Sequence, residues 1–316
     1  MIFGGLGQDG RLLSELLMSQ NQKVTAVVRK RDFINEIPGV SYIVVDKIEI
    51  EKYRAIIASC NPGVIYNLAS MSSVAMCEEF PKISLQLNFE LVKKITEAIE
   101  QFLIENNTSQ IKLVQAGSSE MFGISEQPID ELSVMQPKSK YGLHKKFAFD
   151  FIESIKGSNP NLFISNLILF NHESVLRPEN FVSQKIAVAA ANWRVNGIHS
   201  IKFGNINVAR DWGCAREYVS AMQWVGSQKN NENYVIASGT LTKVSQILEH
   251  AMRYAGFKGK DYAPNLDQTL FRENETSPLI GNRTKIQREM GWESSRSIYS
   301  VIEEMVEFQV CRIKES

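Results

Sequence analysis

The chain has 316 residues, 44% hydrophobic and 22% charged, the composition of a soluble globular protein built as one large or two interlocked domains. Lys plus Arg and Asp plus Glu each number 35, so no basic excess argues for nucleic acid or a membrane surface as partner. Four scattered cysteines without a CxxC pair read as reduced thiols of a cytoplasmic protein, not a disulfide frame or metal site. No apolar run approaches the ~18 residues of a membrane span, and the N-terminus lacks the regions of a signal peptide.

In chain order, a short apolar strand at Met1–Phe3 leads into Gly4, Gly7 and Gly10. An amphipathic helix with Leu12, Leu13, Leu16 and Leu17 follows. Small residues between a strand and a helix let the backbone turn tightly and approach a pyrophosphate seated on the helix N-terminus. The spacing is GxxGxxG, one residue wider than the usual dinucleotide fingerprint, and with three residues before Gly4 the first strand reads as clipped.

The second strand, Lys23–Val28, ends in Arg29-Lys30-Arg31. An acid here would hold the ribose hydroxyls of NAD, whereas basic residues suit the 2′-phosphate of NADP, so NADP is favoured over NAD. A third strand, Tyr42–Val45, ends in Asp46, placed to meet the adenine edge. A fourth, Val64–Ala69, is a continuous apolar run with a polar exit, as a parallel strand buried on both faces requires. Leu91 to Leu103 has the apolar spacing of a long helix. Strands alternate with helices through about residue 170, which predicts an α/β fold with a doubly wound parallel sheet. Ligands of such sheets bind beyond the C-terminal strand ends, where Gly4–Gly10, Asp46, Ala69–Ser73 and Ser118–Glu120 all fall.

Ser118-Ser119-Glu120 follows the apolar run Ile111–Val114, so Ser118 and Glu120 read as alternate residues at a strand exit, facing one pocket. Tyr141 and Lys145 open a helical pattern four residues apart and share its face. An ammonium beside a phenol favours the phenolate, so Lys145 is expected to lower the Tyr141 pKa and make it a usable base.

Taken together, GQDG at 7–10, IYNLA at 65–69, the SSE segment and YGLHK at 141–145 resemble the extended short-chain dehydrogenase/reductase family, and within it the GDP-mannose 4,6-dehydratases. LFNHES at 169–174, ENFVSQK at 179–185, ARDWGCAREYV at 209–219, NYVIASG at 233–239 and GNRTKIQREMGW at 281–292 carry the same likeness through nearly the whole chain.

The resemblance implies a Rossmann-type NADP-binding domain over 1–170, with part of 210–238. A smaller, interwoven nucleotide-sugar domain takes up 171–316. It implies cofactor contacts from Gly4, Leu6, Gly7, Gln8, Asp9, Gly10, Arg29, Arg31, Asp46, Leu68, Ala69, Ser72 and Asn88. It further implies that Tyr141, assisted by Lys145 and hydrogen-bonded Ser118, takes the hydroxyl proton at sugar carbon 4 as hydride leaves. Glu120 then removes the carbon 5 proton and protonates the departing carbon 6 hydroxyl. On the substrate side Asn171 and Asn180 offer amides. Lys185, Arg210 and Arg272 suit a diphosphate. Glu275 suits the ribose hydroxyls.

The chain departs from the family at Ser73, where a His is common, and at Ser118, where Thr is common. Its loop Arg31–Pro38 is shorter than the family's arm and lacks the serine cluster, which argues against a tetramer. A homodimer through the helices starting near Phe89 and Tyr141 is expected. A reductase or epimerase of a nucleotide-linked keto sugar would use Tyr141 and Lys145 without water loss. A non-catalytic NADP-binding regulator would need none of Ser118, Tyr141 and Lys145.

Overall fold

The computed structural model describes residues 1–106, 109–198, 201–259, 264–271 and 278–315. In chain order it runs β1 (Ile2–Phe3), α1 (Gln8–Ser19), β2 (Thr25–Val28), β3 (Ser41–Val44), α2 (Ile50–Cys60) and β4 (Val64–Asn67). Next come α3 (Val74–Glu79), α4 (Pro81–Leu85), one π-helical turn at Gln86–Glu90, α5 (Leu91–Glu105), β5 (Ile111–Ala116) and α6 (Lys140–Ile155). Then follow β6 (Leu162–Leu169), β7 (Asn171–Glu173), α7 (Val182–Asn196), β8 (Lys202–Phe203), β9 (Ala209–Cys214) and α8 (Ala215–Ser227). The chain closes with β10 (Tyr234–Ile236), β11 (Leu241–Lys243), α9 (Val244–Tyr254), β12 (Asn265–Leu266), α10 (Thr284–Met290) and α11 (Ile298–Glu315).

Seven strands form one sheet in the order β10-β6-β5-β4-β1-β2-β3. Every pairing in it is parallel. Strand order reverses between β1 and β4, which opens the ligand crevice of a doubly wound sheet at their C-terminal ends. All six residues of β5 are buried, as helices on both faces demand. On one face α1 and α8 bury Leu12, Leu13, Val219 and Met222 against the sheet. On the other, α2, α5 and α6 contribute Ile57, Ile95, Ile99 and Ile152.

The chain returns to this sheet late. β10 pairs with the edge of β6, so residues 234–236 extend a sheet otherwise built before residue 170. The remaining C-terminal elements make a second core, in which α7, α9 and α11 pack Ala187, Ala191, Leu248 and Met305 together. A three-stranded sheet, β11-β9-β7, joins the two bodies, because β7 begins two residues after β6 ends. No described helix is long and apolar enough to cross a membrane.

Candidate active site

A cavity of about 690 Å³ lies over the C-terminal strand ends, between the large sheet and the second core. The glycine loop forms its floor. Gly4 has φ +81°, and a Cβ there would come 2.7 Å from the Ala69 backbone nitrogen. A Cβ on Gly10 would come 2.4 Å from the Gly4 carbonyl. These two glycines seat α1 against the loop. Gly7 differs: its nearest neighbour to an added Cβ is the Gly4 carbonyl at 3.4 Å, and Gly7 lines the cavity. Packing within the protein therefore does not account for Gly7, whereas close backbone approach of a pyrophosphate does.

The β5 exit and the start of α6 build the reactive corner. A Cβ on Gly117 would meet the Leu167 carbonyl at 2.7 Å, so the chain turns close against β6. Ser118 is extended and caps a 3₁₀ turn, Ser119–Met121, its Oγ accepting from the Glu120 amide at 3.2 Å. Ser118 and Glu120 do share the cavity, but not as alternate strand residues. The strand stops at Ala116, and the three-residue period of the turn carries Glu120 round. Ser139 caps α6, its Oγ accepting from the Gly142 amide at 3.0 Å.

Tyr141 and Lys145 stand on one face of α6, with Lys145 Nζ 5.8 Å from the Tyr141 ring centre. Lys145 Nζ donates to the Ala116 carbonyl at 2.9 Å. Burial pushes Tyr141 up to about 12, despite the opposing pull of the nearby Ser118 hydroxyl, and Glu120 pushes the same way as burial. Burial also lowers Lys145 to about 8. The expected lowering of Tyr141 by Lys145 is thus not what the protein alone produces. Both groups are desolvated, and the lysine loses part of the charge that would stabilise a phenolate.

The other cofactor residues divide. Gly4, Gly7, Gln8, Asp9, Gly10, Leu68 and Ser72 line the cavity; Leu6, Arg29, Arg31, Asp46, Ala69 and Asn88 do not. Arg29 is exposed at the end of β2. Arg31 makes a two-pronged ion pair with Glu36 and lies over the rings of Phe33 and Tyr42. Asp46 is exposed and 3.5 Å from Lys52 Nζ. Asn88 is fully buried in the π turn. It binds the Met71 backbone and Ser70, so it braces the β4 exit instead of facing the cavity.

Asn171, Asn180, Lys185 and Arg210 line the same cavity, as does Ser73, which caps α3. Arg272 and Glu275 lie outside the described residues.

Sequence reasoning passed over four cavity residues. Ser70 shares the cavity with Tyr141 and donates to Asn88 Oδ1 at 2.7 Å. His172 Nε2 sits 3.0 Å from Asp9 Oδ2, and its ring stacks on Tyr218 at 4.5 Å. Glu173, 2% exposed, receives Arg177 through two bonds of 2.7 and 3.0 Å. The 173/177 pair was visible as opposite charges four apart. Nothing in the sequence showed that Glu173 would be buried, with Arg177 largely covered and acting on Asp9.

The model of the GDP-mannose 4,6 dehydratase family matches residues 1–305. GDP-mannose 4,6 dehydratase 2 of Arabidopsis thaliana is 31% identical over 97% of this chain and 85% of its own. Among solved structures, UDP-glucose 4-epimerase of Thermus thermophilus in complex with NAD superposes with a TM-score of 0.85 at 18% identity, covering 98% of this chain and 97% of that one. RMD from Pseudomonas aeruginosa complexed with NADPH gives 0.78 at 17%, covering 98% of each. Those two show the fold alone. The family model and the plant relative, both nearly full-length, show that the chain belongs to the GDP-mannose 4,6-dehydratase family.

Proposed function

We propose that the protein is a nucleotide-sugar 4,6-dehydratase, converting GDP-mannose to its 4-keto-6-deoxy derivative with loss of water. The observation that carries this is Glu120 in the same cavity as Ser118, Tyr141 and Lys145. Transfer of a hydride at carbon 4 has use for Ser118, Tyr141 and Lys145 alone, so a reductase or epimerase would leave Glu120 without a task. The relatives' printed names agree with water loss.

Residues 1–170 with β10 and α8 carry the cofactor, and the rest of 171–316 carries the nucleotide sugar. A nicotinamide dinucleotide fits the glycine loop by the open face of Gly7, and neighbours of this fold are complexed with NAD or NADPH. We favour NADP because Arg29, Lys30 and Arg31 end β2. Bound there, the nicotinamide would accept the carbon 4 hydride when oxidised and return it to carbon 6 when reduced, and its oxidised form would bring the positive charge that a phenolate at Tyr141 needs.

Tyr141 then takes the carbon 4 hydroxyl proton while Ser118 holds the same oxygen. The ketone so formed acidifies carbon 5. Glu120 removes that proton and delivers it to the carbon 6 hydroxyl, which leaves as water. Lys185 and Arg210 line the cavity from α7 and β9, suited to a diphosphate. A homodimer through the helices starting near Phe89 and Tyr141 is supported by Phe147, which keeps 39% of its surface exposed with its ring 5.9 Å from that of Phe89.

The test uses GDP-mannose carrying deuterium at carbon 4. A dehydratase gives product that has lost water and carries the label at carbon 6. Glu120→Gln should abolish water loss yet leave reduced cofactor trapped on the enzyme, visible by its near-ultraviolet absorbance. Label appearing in free reduced cofactor, or full dehydration by Glu120→Gln, would replace this reading with the reductase or epimerase one.

A further inference from the structure

A line of hydrogen bonds leaves the cavity at Ser70 and ends at His144 on α6. Ser70 Oγ donates to Asn88 Oδ1 at 2.7 Å. Asn88 Nδ2 donates to Ser84 Oγ at 3.2 Å, and Ser84 Oγ lies 2.8 Å from His144 Nδ1. Asn88 and Ser84 are fully buried and His144 is 6% exposed. The line joins the β4 exit, α4, the π turn and α6. A π turn is rarely kept without a functional reason, and Asn88 lies at the middle of this one.

Donor accounting fixes the direction of the Asn88 bonds. The Met71 amide donates to Asn88 Oδ1 and the Met71 carbonyl accepts from Nδ2, so the two ends of the Asn88 amide are not interchangeable. Ser84 Oγ must therefore accept from Asn88. Its single hydrogen is then directed at His144 Nδ1, 2.8 Å away, when that nitrogen accepts, or at Cys77 when it does not. With Nδ1 accepting, His144 is neutral, with its proton on Nε2. A protonated His144 would aim a second donor at Ser84 and turn the Ser84 hydrogen toward the weaker acceptor Cys77.

We propose that Ser84 and His144 are positioning residues for the proton-transfer corner: neutral His144 holds Asn88 through Ser84, Asn88 holds Ser70 and Met71, and Ser70 lines the cavity that Tyr141 lines. Protonation of His144 releases the line. The charged groups acting on His144 are Lys140 on its own helix and Glu78 from α3, whose carboxylate accepts from the Lys140 amide at 2.6 Å. The Phe147 ring is 6.2 Å away. Burial and Lys140 lower the His144 pKa and Glu78 opposes them, which favours the neutral ring.

The proposal rests on the dehydratase reading for its turnover measurement only. His144→Asn keeps an acceptor toward Ser84 and does not titrate; Ser84→Ala cuts the line. Water loss would be followed from about pH 5 to 8 in wild-type and both variants, across the range where histidine titrates. Nitrogen NMR of His144 would be recorded on the wild-type protein. Wild-type kcat should fall on the acid side with KM for the sugar nearly constant, and His144→Asn should lose that fall. Ser84→Ala should lower kcat about fivefold throughout, the worth of one buried hydrogen bond. NMR should find Nε2 protonated and Nδ1 accepting at neutral pH. Superimposable acid limbs in wild-type and His144→Asn, or an Nδ1-protonated ring, would overturn the proposal. A wild-type protein inactive at every pH would sink the dehydratase reading, and the ring tautomer would still decide this one.

Discussion

Gly142 lies so close to Glu120 that a Cβ added to it would stand 2.2 Å from the Glu120 carbonyl oxygen. The residue after the candidate base Tyr141 thus fixes the backbone of the candidate elimination base. Gly142→Ala has to push the 3₁₀ turn away from α6. Overpacking of this kind costs about 1–3 kcal/mol. Misplacing a reacting group by about 1 Å costs about a hundredfold in rate. We expect a modest drop in melting temperature with a large loss of kcat, measured by thermal unfolding and water-loss kinetics. An Ala variant with wild-type kcat would show that this contact does not position Glu120.

Arg31 is already held by Glu36, whereas Arg29 is exposed. If the exit of β2 selects NADP, Arg29→Glu should weaken NADP and leave NAD nearly unchanged. Glu36→Gln frees Arg31 and should tighten NADP about threefold, the scale of an exposed ion pair. Calorimetric titration of both cofactors checks this. A loss of NADP affinity in Glu36→Gln would mean that the ion pair supports the site and does not compete with it.

Asp9 and His172 should give the protein a bounded pH window of stability. Burial opposes charge on both, yet the pull of His172 takes Asp9 below the usual carboxylate range, and the pull of Asp9 takes His172 above the usual histidine range. A depressed carboxylate contributes above its unfolded pKa and loses that contribution as pH falls through its folded one. A raised histidine contributes below its unfolded pKa and loses it as pH rises through its folded one. Both are fully present between about pH 4 and 6.5. His172→Asn should cost about 2 kcal/mol there, the worth of one charge-assisted hydrogen bond, since Asp9 keeps Gln8 and the attraction of Arg177. The cost should shrink on either side, as denaturant unfolding at several pH values will read. A cost independent of pH would show that the two side chains do not share charge.

The sheet was legible because strands buried on both faces are rich in apolar residues, as Val64–Tyr66 is, although Ile111–Ala116 also buries Lys112 and Gln115. The glycine loop was legible from spacing, as was the shared face of Tyr141 and Lys145. These are local properties, set within a few residues. The ionisation of Tyr141 was not, since it depends on how completely other segments cover it, and burial outweighs the neighbouring lysine. Nor was the bracing role of Asn88, which needs Met71 and Ser70 brought beside a π turn. The capture of Arg31 by Glu36 depended on how its loop folds back. The Asp9–His172 pair spans 163 residues of sequence, and no spacing rule reaches that far. Residue types and periodicity determined which groups the chain owns and which strands carry them. Tertiary packing decided which charges survive and which partners hold them, because desolvation and pairing are properties of the assembled surroundings and not of the segment.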